Sequence, residues 1–178
     1  HVNPRAAYVT FYFKNREVMS EGFYKDKLRD SLWLNYDREG LTLSAERFKN
    51  GKLHGKRVVF YLRNQIERGE LKILSETTYK DSLKEGPYRT FFSNNKLKEE
   101  GQYSMNLKEG VWKSFNTDGG LVSISRYKTG KLHGWVEFYD TSGTRIDRSL
   151  YQNGERLNEK RAKAVLESLK RKGLDPND

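Results

Sequence analysis

Short runs of alternating apolar and polar residues recur along this chain with a period of 24 residues, and the pattern is carried mainly by aromatics. One aromatic column comprises Tyr12, Tyr36, Phe60, Phe91, Phe115 and Tyr139; a second comprises Tyr24, Phe48, Tyr79, Tyr103, Tyr127 and Tyr151. Within each column the step is 24 residues, except in the third unit, which carries seven more. A boundary column holds Gly55, Gly86, Gly110 and Gly134, with Ser31 and Asn158 in the same slot at the ends. Self-similarity at a fixed period marks an array whose units pack mainly on their neighbours.

The fifth unit shows what each repeat is made of. Runs rich in β-branched and aromatic residues flank Asn116-Thr-Asp-Gly-Gly120, a strong turn signal. The second run ends in Tyr127-Lys-Thr-Gly130-Lys-Leu-His-Gly134, which again marks a tight turn. Similar punctuation stands at Asp37-Arg-Glu-Gly40, Ser93-Asn-Asn95 and Asp140-Thr-Ser-Gly143. Each unit is therefore read as two antiparallel strands, giving about twelve strands in six hairpins. The predicted organisation is an N-terminal tail over 1–6, six repeats over 7–157 and a C-terminal helix and tail over 158–178. The repeats span 7–30, 31–54, 55–85, 86–109, 110–133 and 134–157. The aromatic columns are expected to be buried or half-buried between neighbouring hairpins, because an isolated hairpin is marginal in water.

The seven extra residues fall within Gln65–Leu74. Alternation through Leu71, Ile73 and Ser75 predicts a lengthened hairpin, either one wall of a binding face or a neutral extension at a tolerant tip. Beyond Asn158, Ala162, Val165, Leu166 and Leu169 form one helical stripe. Asn158 is suited to the N-cap, Glu159 to the first turn, Lys170-Arg-Lys172 to the last and Gly173 to the stop. This helix is expected to cap the array.

Phe48-Lys-Asn-Gly51-Lys-Leu-His-Gly55 and Tyr127-Lys-Thr-Gly130-Lys-Leu-His-Gly134, followed by Trp135, resemble the Tyr-x-x-Gly-x-x-x-Gly-x-Trp core of MORN repeats. They resemble more closely the MORN-variant repeats of bacterial proteins labelled YwqK-family antitoxins, over about Ala7 to Leu157. The resemblance implies an all-β fold: an elongated single-layer antiparallel meander of six stacked hairpins, gently curved, with a groove along one face. Ser82 and Asn106 stand where glycine is expected, and the first unit lacks most of its glycines. Looser or differently shaped turns are expected there.

Charge and chemistry narrow the function. The net charge is +10, but the basic residues are spread along the whole chain, as on a solvated face that also discourages edge pairing. With no cysteine, there is no disulfide framework or thiol nucleophile. His54 and His133 share a turn position three units apart and cannot converge on a metal in a linear array. Glu99 and Glu100 are adjacent on a strand and point to opposite faces, which suits no acid–base dyad. No Ser-His-Asp arrangement, phosphate-cradling loop or metalloprotease run occurs, so no enzyme activity and no cofactor is expected. No apolar run approaches the ~20 residues of a membrane-spanning helix. A first residue of His1 rather than methionine fits export with cleavage, or the omission of an upstream segment.

Trp33, Arg57, Tyr88 and Trp112 share one slot in four consecutive units, and aromatics with arginine are the types that anchor interfaces. Arginine in that slot argues against a pure packing role. These four residues are the expected partner-binding ladder. The expected function is a non-enzymatic protein-binding scaffold, with toxin neutralisation as the specific version the resemblance implies. The alternative is a module for polyanions, anionic lipid or the cell envelope.

Overall fold

The computed structural model describes residues 6–62 and 71–177, and the chain divides into two compact units, His1–Asn95 and Lys96–Asp178. In the first unit the strands are β1 (Ala6–Tyr12), β2 (Val18–Lys25), β3 (Leu28–Tyr36), β4 (Thr42–Lys49), β5 (Lys52–Leu53), β6 (Gly55–Phe60), β7 (Ile73–Lys80) and β8 (Leu83–Phe91). They pair antiparallel in chain order, with the two-residue β5 folded back on β4. The second unit contains β9 (Leu97–Ser104), β10 (Leu107–Phe115), β11 (Leu121–Lys128), β12 (Lys131–Leu132), β13 (Gly134–Tyr139), β14 (Arg145–Gln152), β15 (Glu155–Arg156) and the helix α1 (Glu159–Lys172). Each unit is an open antiparallel sheet of successive hairpins, and one C-terminal helix completes an otherwise all-β fold.

Two kinds of turn alternate. At Asp37, Asn116 and Asp140 the chain reverses through a loop that closes on the turn's first side chain. Asn116 Oδ1, for example, accepts from the backbone N–H of Asp118 at 3.0 Å and of Gly120 at 2.8 Å. Such side-chain bonds mimic a backbone turn, which is why Asp and Asn occupy this position. The other kind has two residues: Asp26-Lys27, Asn50-Gly51, Asp81-Ser82, Met105-Asn106, Thr129-Gly130 and Asn153-Gly154. In all six, both residues have positive φ, as a type I′ hairpin requires. The expectation of differently shaped turns at Ser82, Asn106 and the first unit is therefore corrected. Cross-strand pairing on both sides of the loop imposes the geometry, and a non-glycine residue bears the modest cost of left-handed backbone.

These I′ turns also join one hairpin to the next. Gly51 donates its N–H to the Arg29 carbonyl at 2.8 Å, Ser82 to Leu53 at 2.8 Å and Gly130 to Lys108 at 2.9 Å. The boundary column lies inside the strands. Ser31, Gly55, Gly86, Gly110 and Gly134 all have positive φ and kink the first strand of their unit. At Gly55 and Gly134 the kink separates a two-residue strand from its continuation, and the two-residue β15 precedes the helix, so the described residues form fifteen strands where about twelve were expected.

Eleven of the twelve aromatic-column residues are half-buried; Tyr12, near the sheet edge, is 60% exposed. The proposed lengthening of the third hairpin over Gln65–Leu74 lies mostly outside the described residues. What is described is one further rung, Tyr61 N–H to the Lys72 carbonyl at 2.9 Å.

The helix forms as its sequence dictates. Asn158 Oδ1 accepts from the Arg161 N–H at 2.9 Å, and Gly173 closes the C-terminus in the left-handed conformation. Its stripe of Ala162, Val165, Leu166 and Leu169 is half-buried, and Val165 and Leu169 line a small cavity with His133, Leu150 and Tyr151. Leu150 and Leu157 beneath are 4% and 7% exposed. Deleting residues 158–178 is expected to lower the melting temperature and the solubility. A truncated chain with both unchanged would show the helix to be a tether.

Candidate functional site

The slot that holds Trp33, Arg57, Tyr88 and Trp112 has a fixed neighbour on the preceding strand, and the two residues match in size and charge. Trp33 lies opposite Gly22. A methyl group on Gly22 would sit 2.5 Å from Trp33 Cδ2, so only glycine leaves room for the indole. Gly101 does the same for Trp112, where a Cβ would come within 2.3 Å of the ring. Arg57 meets Glu46, its Nε 2.7 Å from the carboxylate. Tyr88 meets Thr77 in register.

In the first unit these pairs join into one row. Val9 faces Gly22, Gly22 faces Trp33, and Trp33 faces Glu46. Arg57 bonds to Glu46 and faces Thr77, which faces Tyr88. Trp33, Arg57 and Tyr88 are thus brought onto one face of one sheet. A second row of small polar residues runs beside it: Ser20, Asn35 and Ser44 are successive partners, and Asn35 Nδ2 donates to Ser44 Oγ at 2.9 Å. Tyr24 and Phe48 belong to the same face, since both rings pack edge-on against Trp33 at 5.1 and 6.5 Å. Tyr36 belongs to the other face, where its hydroxyl donates to Glu21 at 2.7 Å. In this unit the two aromatic columns therefore serve opposite faces: Tyr36 stands three positions from Trp33 on β3, whereas Tyr24 stands two from Gly22 on β2, and side chains alternate along a strand.

Burial sorts the ladder. Trp33 is 0% exposed and Trp112 3%, whereas Arg57 and Tyr88 are half-buried. Above Trp33 the Arg29 guanidinium stands 4.3 Å from the ring centre, and the Trp33 Nε1–H donates to the Phe23 carbonyl at 3.0 Å. In the second unit the Lys108 ammonium lies 3.7 Å over Trp112, Tyr103 packs edge-on at 5.1 Å, and Lys108 also pairs with Glu99 at 3.0 Å. The tryptophans are the packed centres of their units. Arg57 fits this half-buried slot for a definite reason: Glu46 supplies the opposite charge on the adjacent strand.

Sequence reasoning missed Gly22, Gly101, Glu46, Arg29 and Lys108. The signal was present as an offset: each buried tryptophan has a basic residue four positions before it and a glycine eleven before it.

On the face opposite its tryptophan each unit carries ion pairs, and the first unit also carries a tyrosine–carboxylate cluster at Tyr36 and Glu21. Lys56 pairs with Glu76, and Glu137 holds both Arg126 at 3.2 Å and Arg145 at 2.8 Å. Burial, with the hydrogen bond to Glu21, pushes Tyr36 up to about 12 from an ordinary 10.0. A phenol raised on folding stabilises the neutral-phenol state below pH 10, and that contribution is lost as pH rises towards 12. Tyr36→Phe is therefore expected to flatten the fall in stability across this alkaline window. Chemical denaturation at a series of pH values measures it, and a fall equally steep in both proteins would refute the assignment.

Among the described residues no group of three or more His, Asp or Glu could hold a metal, and no helix is long and apolar enough to cross a membrane. In the comparisons with known proteins, the model of the MORN repeat variant matches two adjacent segments, residues 84–105 and 108–129. A search of curated proteins found no match to the chain. The matched segments take in β8–β9 and β10–β11, and so include both Tyr88 and Trp112.

Proposed function

We propose that the chain is a non-enzymatic scaffold that holds another protein on the face bearing the row of Trp33, Arg57 and Tyr88, with Trp112 as the corresponding element of the second unit. The observation that carries this reading is the alignment of half-buried Arg57 and Tyr88 across β6–β8, with Thr77 between them. Arginine and tyrosine bury large areas with few ordered bonds and hydrogen-bond at their tips, which suits interface anchors. Trp33 and Trp112 contribute by fixing the surface from beneath. The match of two segments to MORN-variant repeats supports a repeat-based binding scaffold. Toxin neutralisation is the narrower version, in which the partner's surface is occluded by this face.

Arg57→Ala and Tyr88→Ala are each expected to weaken capture of the partner from an extract of the source organism by about thirty-fold, an anchor's typical contribution. Both should leave the fold intact. Undiminished capture by the folded double variant would move the interface elsewhere. The polyanion reading is separated by salt: retention on heparin that weakens steeply with ionic strength would favour it. Carboxylates already pair Lys56, Arg57, Lys108 and Arg126, which favours the protein reading.

A further inference from the structure

We infer that the outer edge of β1 is a dimerisation edge, on which the β1 strand of a second copy pairs antiparallel about Val9. The inference needs no partner on the proposed binding face and rests on how β1 departs from its repeat counterparts. Among the described residues of the first unit, β1 has β2 as its strand neighbour and stands first in the strand order. Its sequence, Ala6-Ala-Tyr-Val-Thr-Phe-Tyr12, contains no charge. The corresponding segments 30–36, 54–60, 85–91, 109–115 and 133–139 each carry at least one, although β3, β6, β10 and β13 each have a paired strand on either side. An edge strand without charge lacks what usually prevents pairing.

The backbone differs in the same direction. All five counterparts are kinked by a positive-φ residue at the boundary slot, but Ala7 in that slot is not among the positive-φ residues. Kinks blunt an edge, and β1 has none at that slot; its register shift against β2 falls at its end, between Phe11 and Tyr12. Its large side chains are also uncovered, with Tyr8 54%, Phe11 40% and Tyr12 60% exposed. The far end of the second unit is managed in the opposite way. There β15 has two residues, Glu155 and Arg156, both charged and exposed, and α1 follows directly.

The strand is complementary to itself. Antiparallel pairing about Val9 sets Ala6 against Tyr12, Ala7 against Phe11 and Tyr8 against Thr10, so each large residue meets a smaller one. No like charges are opposed within the strand. Because the contact is isologous, it consumes both copies' edges and closes at two. The occupant is a second copy of this chain.

Sedimentation equilibrium of the whole chain is expected to show a concentration-dependent dimer. Val9→Lys and Val9→Glu should each be monomeric, with melting curves close to wild type, because residue 9 meets its own copy at the axis. An equimolar mixture of the two variants should recover the dimer, which a merely unfolded variant cannot do. If Val9→Lys misfolds, Tyr8→Lys at an exposed site serves instead and should weaken dimerisation at least tenfold. A wild-type chain that is still monomeric at roughly 100 μM, a concentration that would populate a micromolar complex, overturns the proposal. So does a dimer indifferent to both lysine substitutions, or a folded Lys/Glu pair that fails to recombine.

Discussion

Trp33→Ala is expected to destabilise the first unit by about 3–5 kcal/mol, the range for removing a fully buried large aromatic. The side chain is 0% exposed and contacts rings from three other strands: Phe11 at 6.3 Å, Tyr24 at 5.1 Å and Phe48 at 6.5 Å. Its loss would also release the Phe23 carbonyl and take away the face over which Arg29 stands. The cation over the ring adds on the order of 1 kcal/mol. No other side chain in the row can fill the space, because its floor is Gly22. Trp135→Ala serves as the control: that ring is only half-buried, with Arg148 over it at 4.2 Å, and its removal should cost clearly less. Denaturant unfolding followed by circular dichroism measures both. A Trp33→Ala protein within about 0.5 kcal/mol of wild type, the typical scatter of surface substitutions, would mean the indole is not the centre of the unit.

The second large effect comes from the glycine floor. Gly101→Ala places a methyl carbon 2.3 Å from Trp112 Cδ2 and 2.4 Å from Cε2, far inside contact distance. The ring must tilt out of its slot between Tyr103 and Tyr127 or the strands must separate, and overpacking of this kind costs about 3 kcal/mol or more. Gly22→Ala should behave alike beneath Trp33, with the methyl carbon at 2.5 Å. The matched pairs predict the rescue. Where the chain has Ser125 on one strand, the following unit has Val136 in the slot, and Val136 is 5% exposed. Gly22→Ser combined with Trp33→Val copies that pair. The double variant should lose less than the two single changes added together, with a coupling of about 1–3 kcal/mol in a thermodynamic cycle. Additive losses would show that the glycine is retained for its backbone and not for the ring above it.

Both effects turn on a relation between strands that are adjacent in the sheet but eleven residues apart in the chain. This separates what could be read from the sequence from what could not. The period, the hairpins, the helix with its Asn158 and Gly173 caps and the shared slot of Trp33, Arg57, Tyr88 and Trp112 all depend on local chemistry: alternation, turn residues and capping groups act within a few residues. Turn shape was misread at Ser82 and Asn106 because cross-strand pairing on both sides of a two-residue loop overrides the preference of the residues within it. The role of the tryptophans could not be settled from the slot itself. Identical spacing puts a side chain on a given face, but whether that side chain is surface or core depends on what the next strand sets beside it. Gly22 and Tyr24 enclose Trp33, whereas Glu46 holds Arg57 half-exposed in the same slot. By itself the sequence determined a β-hairpin array with one closing helix and the row on which its distinctive side chains lie. The tertiary structure decided which of them are core and which face solvent, because burial is a property of neighbouring strands taken together.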